Sequence, residues 1–317
     1  MKTIKDVAKK AGVGIATVSR YINKNGYVSK ESEKKIANAM KVLKYYPNAA
    51  AQSIKSKKSN TVALVIPTIT NLFFPELANA LENMLSEQGY KLILCNSEDD
   101  LEKENRYVDM ILQNRIDGVV TATGYVSERL IESGLPIILL DRVSDQVDDL
   151  IVSVTSNHYD GAVKATNHLL ENGCKKLLHL YGPLKTETAT LRKNAFVNTC
   201  NDNDIEYKCL SVKDDLNYDT LKNYDGVFIW NDIDSIKFIS ECLTRGINIP
   251  NDIQVIGFDN IELSNVVYPQ LTTISQPISE LGKKACELLI EMIDNKEVIK
   301  ENIILDTNLV IRKTTKG

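Results

Sequence analysis

From Thr61 onward the chain alternates short apolar runs, rich in β-branched residues, with longer stretches of helical periodicity, and few architectures accept that alternation. Residues 62–66, 91–95, 118–121 and 136–140 are apolar at nearly consecutive positions and too short for helices, the pattern of strands buried on both faces. Residues 75–88, 101–113 and 128–133 lie between them as helices. A second series follows Asn157, with strands over 176–181, 227–230 and 253–258 and helices between. Strands that alternate with helices pair in parallel through crossover connections, so two such series predict two doubly wound α/β lobes. Open sheets of this kind bind ligands beyond the carboxyl ends of their strands.

Residues 1–60 differ in kind. They carry thirteen Lys and one Arg against Asp6, Glu31 and Glu33, a net of +11, whereas the remainder nets −15 and the whole chain −4. A basic head on an acidic body is the electrostatic footprint of a polyanion-binding module attached to something else. The head also reads as folded. Thr3 and Asp6 have capping-box spacing, and Ile4, Val7, Ala8 and Ala11 form one helical face. Gly12 sits where a helix end needs positive φ. A second short helix fits 15–23, with Val18 and Ile22 on one side. A third starts at Ser29 as N-cap, carries Glu31 and Glu33 in its first turn, buries Ile36, Met40 and Leu43, and is expected to end at Pro47. Two helices joined by a turn of about three residues containing Gly form a helix-turn-helix.

Thr3-Ile-Lys-Asp-Val-Ala8, Ala11-Gly-Val13, Thr17-Val-Ser-Arg20, Asn23, Val28-Ser29 and Tyr46-Pro-Asn48 resemble, in order and at family spacing, the headpiece of the lactose-repressor family of bacterial transcription regulators. The resemblance implies an all-α DNA-binding headpiece over 1–47, a hinge helix and linker over 48–60, and a two-lobed, periplasmic-binding-protein-like α/β sensor and dimerisation domain over 61–317. Lobe one is expected over about 61–156 and 278–301, and lobe two over about 157–277 and 302–317. Ile15, Ala16 and Arg20 take the base-reading positions. Arg20 can donate two hydrogen bonds to a guanine edge, while Ile15 and Ala16 offer apolar contact. Thr3, Ser19, Asn23 and Ser29 are placed for phosphate oxygens, which fix register. Gly14 stands where the family usually has Ser, so a phosphate-binding hydroxyl is lost.

In the hinge, Asn48 caps the run 49–55, which is shorter than the roughly 12–15 residues an isolated helix needs in water. It is therefore expected to fold only against DNA. Ile54 takes the family's minor-groove wedge position, where Leu is usual, and Gln52 replaces a usual Arg, departures that Lys55, Lys57 and Lys58 partly offset.

The body carries a second resemblance. Asn71, Phe73, Phe74, Asp141, Arg142, Arg192 (read as opening a helix), Asn231, Asp259 and Gln276 look like the sugar-contacting set of the ribose-binding proteins of bacterial transport. Ile256-Gly-Phe-Asp259, Leu271-Thr-Thr-Ile-Ser-Gln-Pro277, Leu281-Gly-Lys283 and Arg312-Lys-Thr-Thr315 are similar to ribose operon repressors. Carboxylates, amides and Arg forks satisfy sugar hydroxyls, and Phe73 and Phe74 are expected to sandwich the ring. Leu72 replaces a usual proline, Leu216 or Tyr218 can supply a further aromatic-position contact, and Trp230 lies beside the site. The resemblance implies a homodimer on a near-palindromic operator, with D-ribose as inducer. Sucrose or fructose, a phosphosugar, a purine or a phosphorylated carrier protein are the alternatives.

Other classes lack their signatures. No apolar run approaches the roughly 18–20 residues of a membrane span, and the lysine-bearing first eleven residues lack a signal's apolar region, so a cytoplasmic protein is expected. The six cysteines form no CxxC pair, and GxxxxGK[ST], GxSxG and HExxH are absent. No enzyme activity, metal or cofactor is expected, and His158, His168 and His179 read as structural or exposed.

Overall fold

Thr3 opens the first helix through a complete capping box: its hydroxyl accepts from the Asp6 N–H, and Asp6 Oδ2 accepts from the Thr3 N–H at 2.8 Å. The computed structural model describes residues 2–47, 58–142, 151–295 and 302–317. It divides into two compact units, Met1–Ser59 and Asn60–Gly317. In the first unit α1 (Ile4–Ala11) ends at Gly12, whose φ of 66° lets its N–H return to the Ala8 carbonyl. α2 (Ile15–Asn23) starts at Gly14 with no side-chain cap, and α3 (Lys30–Leu43) starts at Ser29, which accepts from the Ser32 N–H. α3 stops at Leu43 and not at Pro47, because Lys44 adopts a left-handed conformation and returns its N–H to Met40 and Lys41. Val7, Ala8, Ala11, Val18, Ile36 and Ala39 are the buried centre of this unit, closed over by Ile4, Ile22, Met40 and Leu43 among others.

The second unit holds two six-stranded sheets. The first comprises β1 (Thr61–Ile66), β2 (Lys91–Asn96), β3 (Gly118–Thr121), β4 (Ile137–Leu140), β5 (Ile151–Ser156) and β11 (Ile303–Leu305), in the order β11-β5-β4-β3-β1-β2. All its pairs are parallel. Side chains of a strand alternate between faces. Val62, Leu64 and Ile66 accordingly meet Leu77, Leu81 and Leu85 of α4 (Phe73–Glu87) and Leu281 and Leu289 of α10 (Ile278–Asn295). Ala63 and Val65 face Val108 and Ile111 of α5 (Leu101–Gln113) and Leu130 of α6 (Glu128–Glu132).

The second sheet repeats the plan with β6 (Lys176–Tyr181), β7 (Glu206–Ser211), β8 (Gly226–Ile229), β9 (Gln254–Asp259), β10 (Thr272–Ser275) and β12 (Asn308–Val310), in the order β12-β10-β9-β8-β6-β7. Only β12, antiparallel to β10, departs from parallel pairing. α7 (His158–Glu171), α8 (Glu187–Asp202) and α9 (Asp232–Thr244) cover its faces. The chain passes between lobes after β5, after β10 and between β11 and β12. The last passage corrects the sequence boundary: Ile303–Leu305 pairs with β5 in the first lobe, so the return to the second lobe falls after Leu305 and not at residue 302.

Ile36 is fully buried in the small headpiece core. Ile36→Ala is expected to destabilise that unit by about 2–5 kcal/mol. In a urea titration this should move a headpiece transition while the body transition stays in place.

Candidate DNA-binding face and effector site

In α2, Val18 is buried and turns the opposite face outward. Ile15 is 46% exposed despite being isoleucine, and Ala16 and Arg20 are exposed beside it. An exposed apolar side chain at the first turn of a helix, a turn and a half before an arginine, suits a base-reading surface better than it suits water. Ser19 is half-buried and accepts from Asn23 Nδ2 at 3.2 Å. The hydroxyl of Thr3 donates to Asp6 Oδ2 at 3.0 Å, and that of Ser29 donates to Ser32 Oγ at 3.0 Å, so both serve helix starts in this structure. Asn48, Ile54 and Lys55 lie outside the described residues.

The second unit gathers most of the expected sugar set at the carboxyl ends of its strands. Asp141 follows β4, Asp259 ends β9, Gln276 follows β10 and Asn231 caps α9 by accepting from the Asp234 N–H at 2.8 Å. Asp141, Arg142, Arg192, Asn231, Asp259 and Gln276 are all buried. Arg142 Nη1 donates to the Asp141 carbonyl at 2.5 Å and lies 3.2 Å from Asp141 Oδ2. Gln276 Nε2 donates to Asp259 Oδ1 at 2.7 Å, and Arg192 Nη2 stands 3.7 Å from that oxygen. The Arg192 guanidinium covers the Phe258 ring at 3.6 Å and donates to the Trp230 carbonyl. Asp141 Oδ1, Arg142 Nε, Arg192 Nε and Gln276 Oε1 are buried with no hydrogen-bond partner among the described residues. Buried polar atoms are ordinarily satisfied, so four orphans in one cluster are available to the donors and acceptors of a bound group. Backbone strain concentrates here too: Asp141, Asp259 and Asn260 have φ of 57°, 124° and 58°.

The charges are unequal in state. Burial pushes the Asp141 carboxyl up, but His158, Arg142 and Arg192 outweigh it and hold Asp141 below the usual carboxylate range. Asp259 goes the other way: burial, with Asp232 and Asp141 nearby, raises it well above that range despite Arg192.

Several placements differ from expectation. Arg192 does not open its helix; it lies within α8, a turn and a half past Glu187, and reaches inward. Phe73 and Phe74 are buried in the first lobe's core with rings at 76° to each other, an edge-to-face pair that cannot sandwich a ring in this conformation. Asn71 is half-buried and accepts from the Phe73 N–H. Tyr218 stacks on Phe238 and lines, with Leu216 and Asp214, a separate cavity of about 410 Å³ beyond β6, β7 and β8. Trp230 bonds through its indole N–H to Asp234 at 2.8 Å.

Two residues lie outside the expected ligand set. His158, expected to be structural or exposed, is buried inside the site with Nε2 2.9 Å from Asp141 Oδ1. Asp232, one residue after Asn231, is fully buried and accepts from the Ile261 N–H, the Ser264 hydroxyl and the Thr273 hydroxyl. The signal for His158 was its place just past a strand end, at a strand whose serines and threonines hid it.

A basic helix-turn-helix joined to a two-lobed small-molecule domain defines a ligand-responsive DNA-binding regulator. The family comparisons agree. Residues 3–48 match the model of bacterial regulatory proteins of the lacI family, 59–218 that of periplasmic binding proteins and the sugar-binding domain of the LacI family, and 166–315 that of a periplasmic binding protein-like domain. The ribose operon repressor of Halalkalibacterium halodurans is 38% identical over 327 residues, spanning 100% of this chain and 98% of that protein. The HTH-type transcriptional repressor PurR of Mannheimia succiniciproducens is 35% identical over 100% of this chain and 99% of that protein. The lac repressor dimer bound to operator and the anti-inducer ONPF superposes with a TM-score of 0.85 at 25% identity, covering 100% and 99% of the two chains. A periplasmic binding protein/LacI transcriptional regulator of Alkaliphilus metalliredigens, complexed with D-xylulofuranose, superposes with a TM-score of 0.77 at 33% identity, covering 81% and 100%. This chain belongs to the lacI family of bacterial regulatory proteins.

Burial raises Asp232 to about 6. In the unfolded chain it ionises near about 4. The folded body therefore binds its proton more tightly, and the stabilisation present below about pH 4 is lost as pH rises through about 6. Asp232→Asn is expected to flatten the body's stability across that window. Asp232→Ala, which orphans two hydroxyls and an N–H, should cost about 2–4 kcal/mol in denaturant unfolding.

Proposed function

We propose that the chain is a homodimeric transcriptional repressor, acting in the cytoplasm, that binds a near-palindromic operator and releases it when D-ribose enters the body. The observation that carries the sugar reading is the buried cluster of Asp141, Arg142, Arg192, Asp259 and Gln276, with its four unsatisfied polar atoms. Sugar hydroxyls both donate and accept, so alternating carboxylates, guanidinia and an amide suit them, and the Arg192–Phe258 stack gives the cluster a rigid floor. The names of the ribose operon repressor relatives and the pentose in the Alkaliphilus structure support the same class of ligand. The likeness to PurR favours a second reading, in which a purine takes the site.

On DNA, two copies of α2 lie in successive major grooves and Arg20 reads a guanine. Ligand shifts the relative orientation of the lobes and with it the hinges. Each 1.4 kcal/mol of differential stabilisation changes operator affinity about tenfold.

Calorimetric titration of the full chain with D-ribose, and with arabinose, fructose, ribose 5-phosphate and hypoxanthine as controls, tests the effector. Ribose-selective heat that disappears in Asp259→Ala is the expected result; heat with hypoxanthine alone gives the site to a purine. For the headpiece, Arg20→Ala is expected to lose about 1–3 kcal/mol of discrimination at one base pair. Unchanged discrimination across operator variants would contradict the docking.

A further inference from the structure

His158 is the first residue of α7, immediately after the chain has crossed from the first lobe to the second. Its imidazole is 2% exposed and touches one charged residue from each lobe. Nε2 lies 2.9 Å from Asp141 Oδ1, and Nδ1 lies 3.2 Å from Arg192 Nη2. A guanidinium has donors only, so the contact with Arg192 requires a lone pair on Nδ1. The ring proton is then on Nε2, which faces Asp141 Oδ1 at 2.9 Å and the Thr155 hydroxyl at 3.4 Å. An imidazolium has no lone pair to offer and would set a third positive charge beside Arg142 and Arg192.

We propose that His158 is a positioning residue of the effector site, a neutral relay at the lobe crossover that turns its Nε2–H toward Asp141, accepts from Arg192 and sets both for the sugar. The relay extends on the far side through Arg192 to Asp259 and from there to Gln276. It thereby links the ends of β4, β9 and β10 through one uncharged ring. The groups that face the ring are Asp141 and Arg142 after β4, Thr155 of β5 at 3.4 Å, Arg192 of α8 and Phe258 of β9, with Asp259 beyond Arg192. Burial holds the imidazole below its ordinary pKa; the opposing pull of Asp141 is smaller, and Arg192 and Arg142 add to the lowering. The neutral form is therefore favoured in the physiological range, and acidification that charges the ring weakens effector binding.

The inference rests on the sugar-site reading, and its test separates the two. D-Ribose is titrated calorimetrically into the full chain and into three variants. Glutamine has one donor and one acceptor at its tip, whereas lysine only donates. His158→Ala and His158→Lys are expected to weaken ribose roughly ten- to hundredfold, and His158→Gln to recover binding to within about threefold of wild type. Lysine binding as tightly as wild type would overturn the relay. Nitrogen-15 spectra of the chain's three histidines, assigned by the same variants, are read alongside. A bare Nδ1 with a protonated Nε2 at neutral pH supports the relay, and an imidazolium or an Nδ1–H tautomer overturns it. If wild type gives no heat with ribose, the ribose reading fails and the spectra alone decide His158.

Discussion

Asp141 belongs to the first lobe and Arg192 to the second, and both are almost wholly buried. Neither charge is tolerable there alone: a buried ion without a partner costs several kcal/mol, on the order of the stability of a whole domain. His158 stands between them and Asp259 beyond them, so the two lobes share one polar network at the line where they meet. Exposed contacts add to it, Lys185 with Asp99 at 3.0 Å and the Glu262 N–H with Glu76 at 2.9 Å, but these are wet and weak by comparison. Apolar contact joins the lobes as well, since Ile261 of the second lobe is buried in the first lobe's core, so the network is the polar part of what holds them together. A ligand that supplies hydroxyls to Arg142, Arg192 and Gln276 changes that balance, and the second lobe answers as a body because Asp232 ties α9 to β10 and to the loop after β9.

The headpiece obeys a different constraint. Its core is small, so helix ends matter in proportion: a capping box at Thr3, a serine cap at Ser29 and left-handed ends at Gly12, Lys24 and Lys44 together define where each helix stops. The bareness of Gly14 as a cap leaves the start of α2 without a side-chain bond, at the end of the helix that carries Ile15 and Ala16. Stability in this unit is spent on holding α2 against α1 and α3 through Val18, which leaves the outer face of α2 to Arg20 and its apolar neighbours.

The elements most legible in the sequence are those whose apolar residues run consecutively. β1, β3, β6 and β9 are of this kind, and α5 follows its helical period from end to end. β5 and β10, IVSVTS and TTIS, were missed because many of their buried positions are Ser and Thr; in β10 these hydroxyls find partners in the folded protein, Thr273 with Asp232 and Thr272 with Thr315, whereas the Oγ atoms of Ser153 and Ser156 in β5 have none among the described residues. β7 was missed because an edge strand with one half-exposed face reads as polar. Missing β5 concealed His158, since the rule that ligands lie past strand ends needs the strand first. The resemblance placed Asp141, Arg142, Asn231, Asp259 and Gln276 where the fold brings them together, but it could not supply the tilt between Phe73 and Phe74, which core packing sets. The crossing after Leu305 was equally hidden, because three residues of β11 are too few to declare which sheet they join.

The central claim is that a sugar seated among these buried charges controls the grip on DNA. Its most direct test is fluorescence anisotropy of the full chain on an operator selected from random duplex by the protein itself, titrated with and without D-ribose. The account predicts that saturating ribose weakens operator affinity at least about tenfold, a differential of about 1.4 kcal/mol, and that Asp259→Ala abolishes the response while leaving ligand-free operator binding in place. Operator affinity that is indifferent to ribose in the wild-type protein, under conditions where ribose is bound, would contradict it.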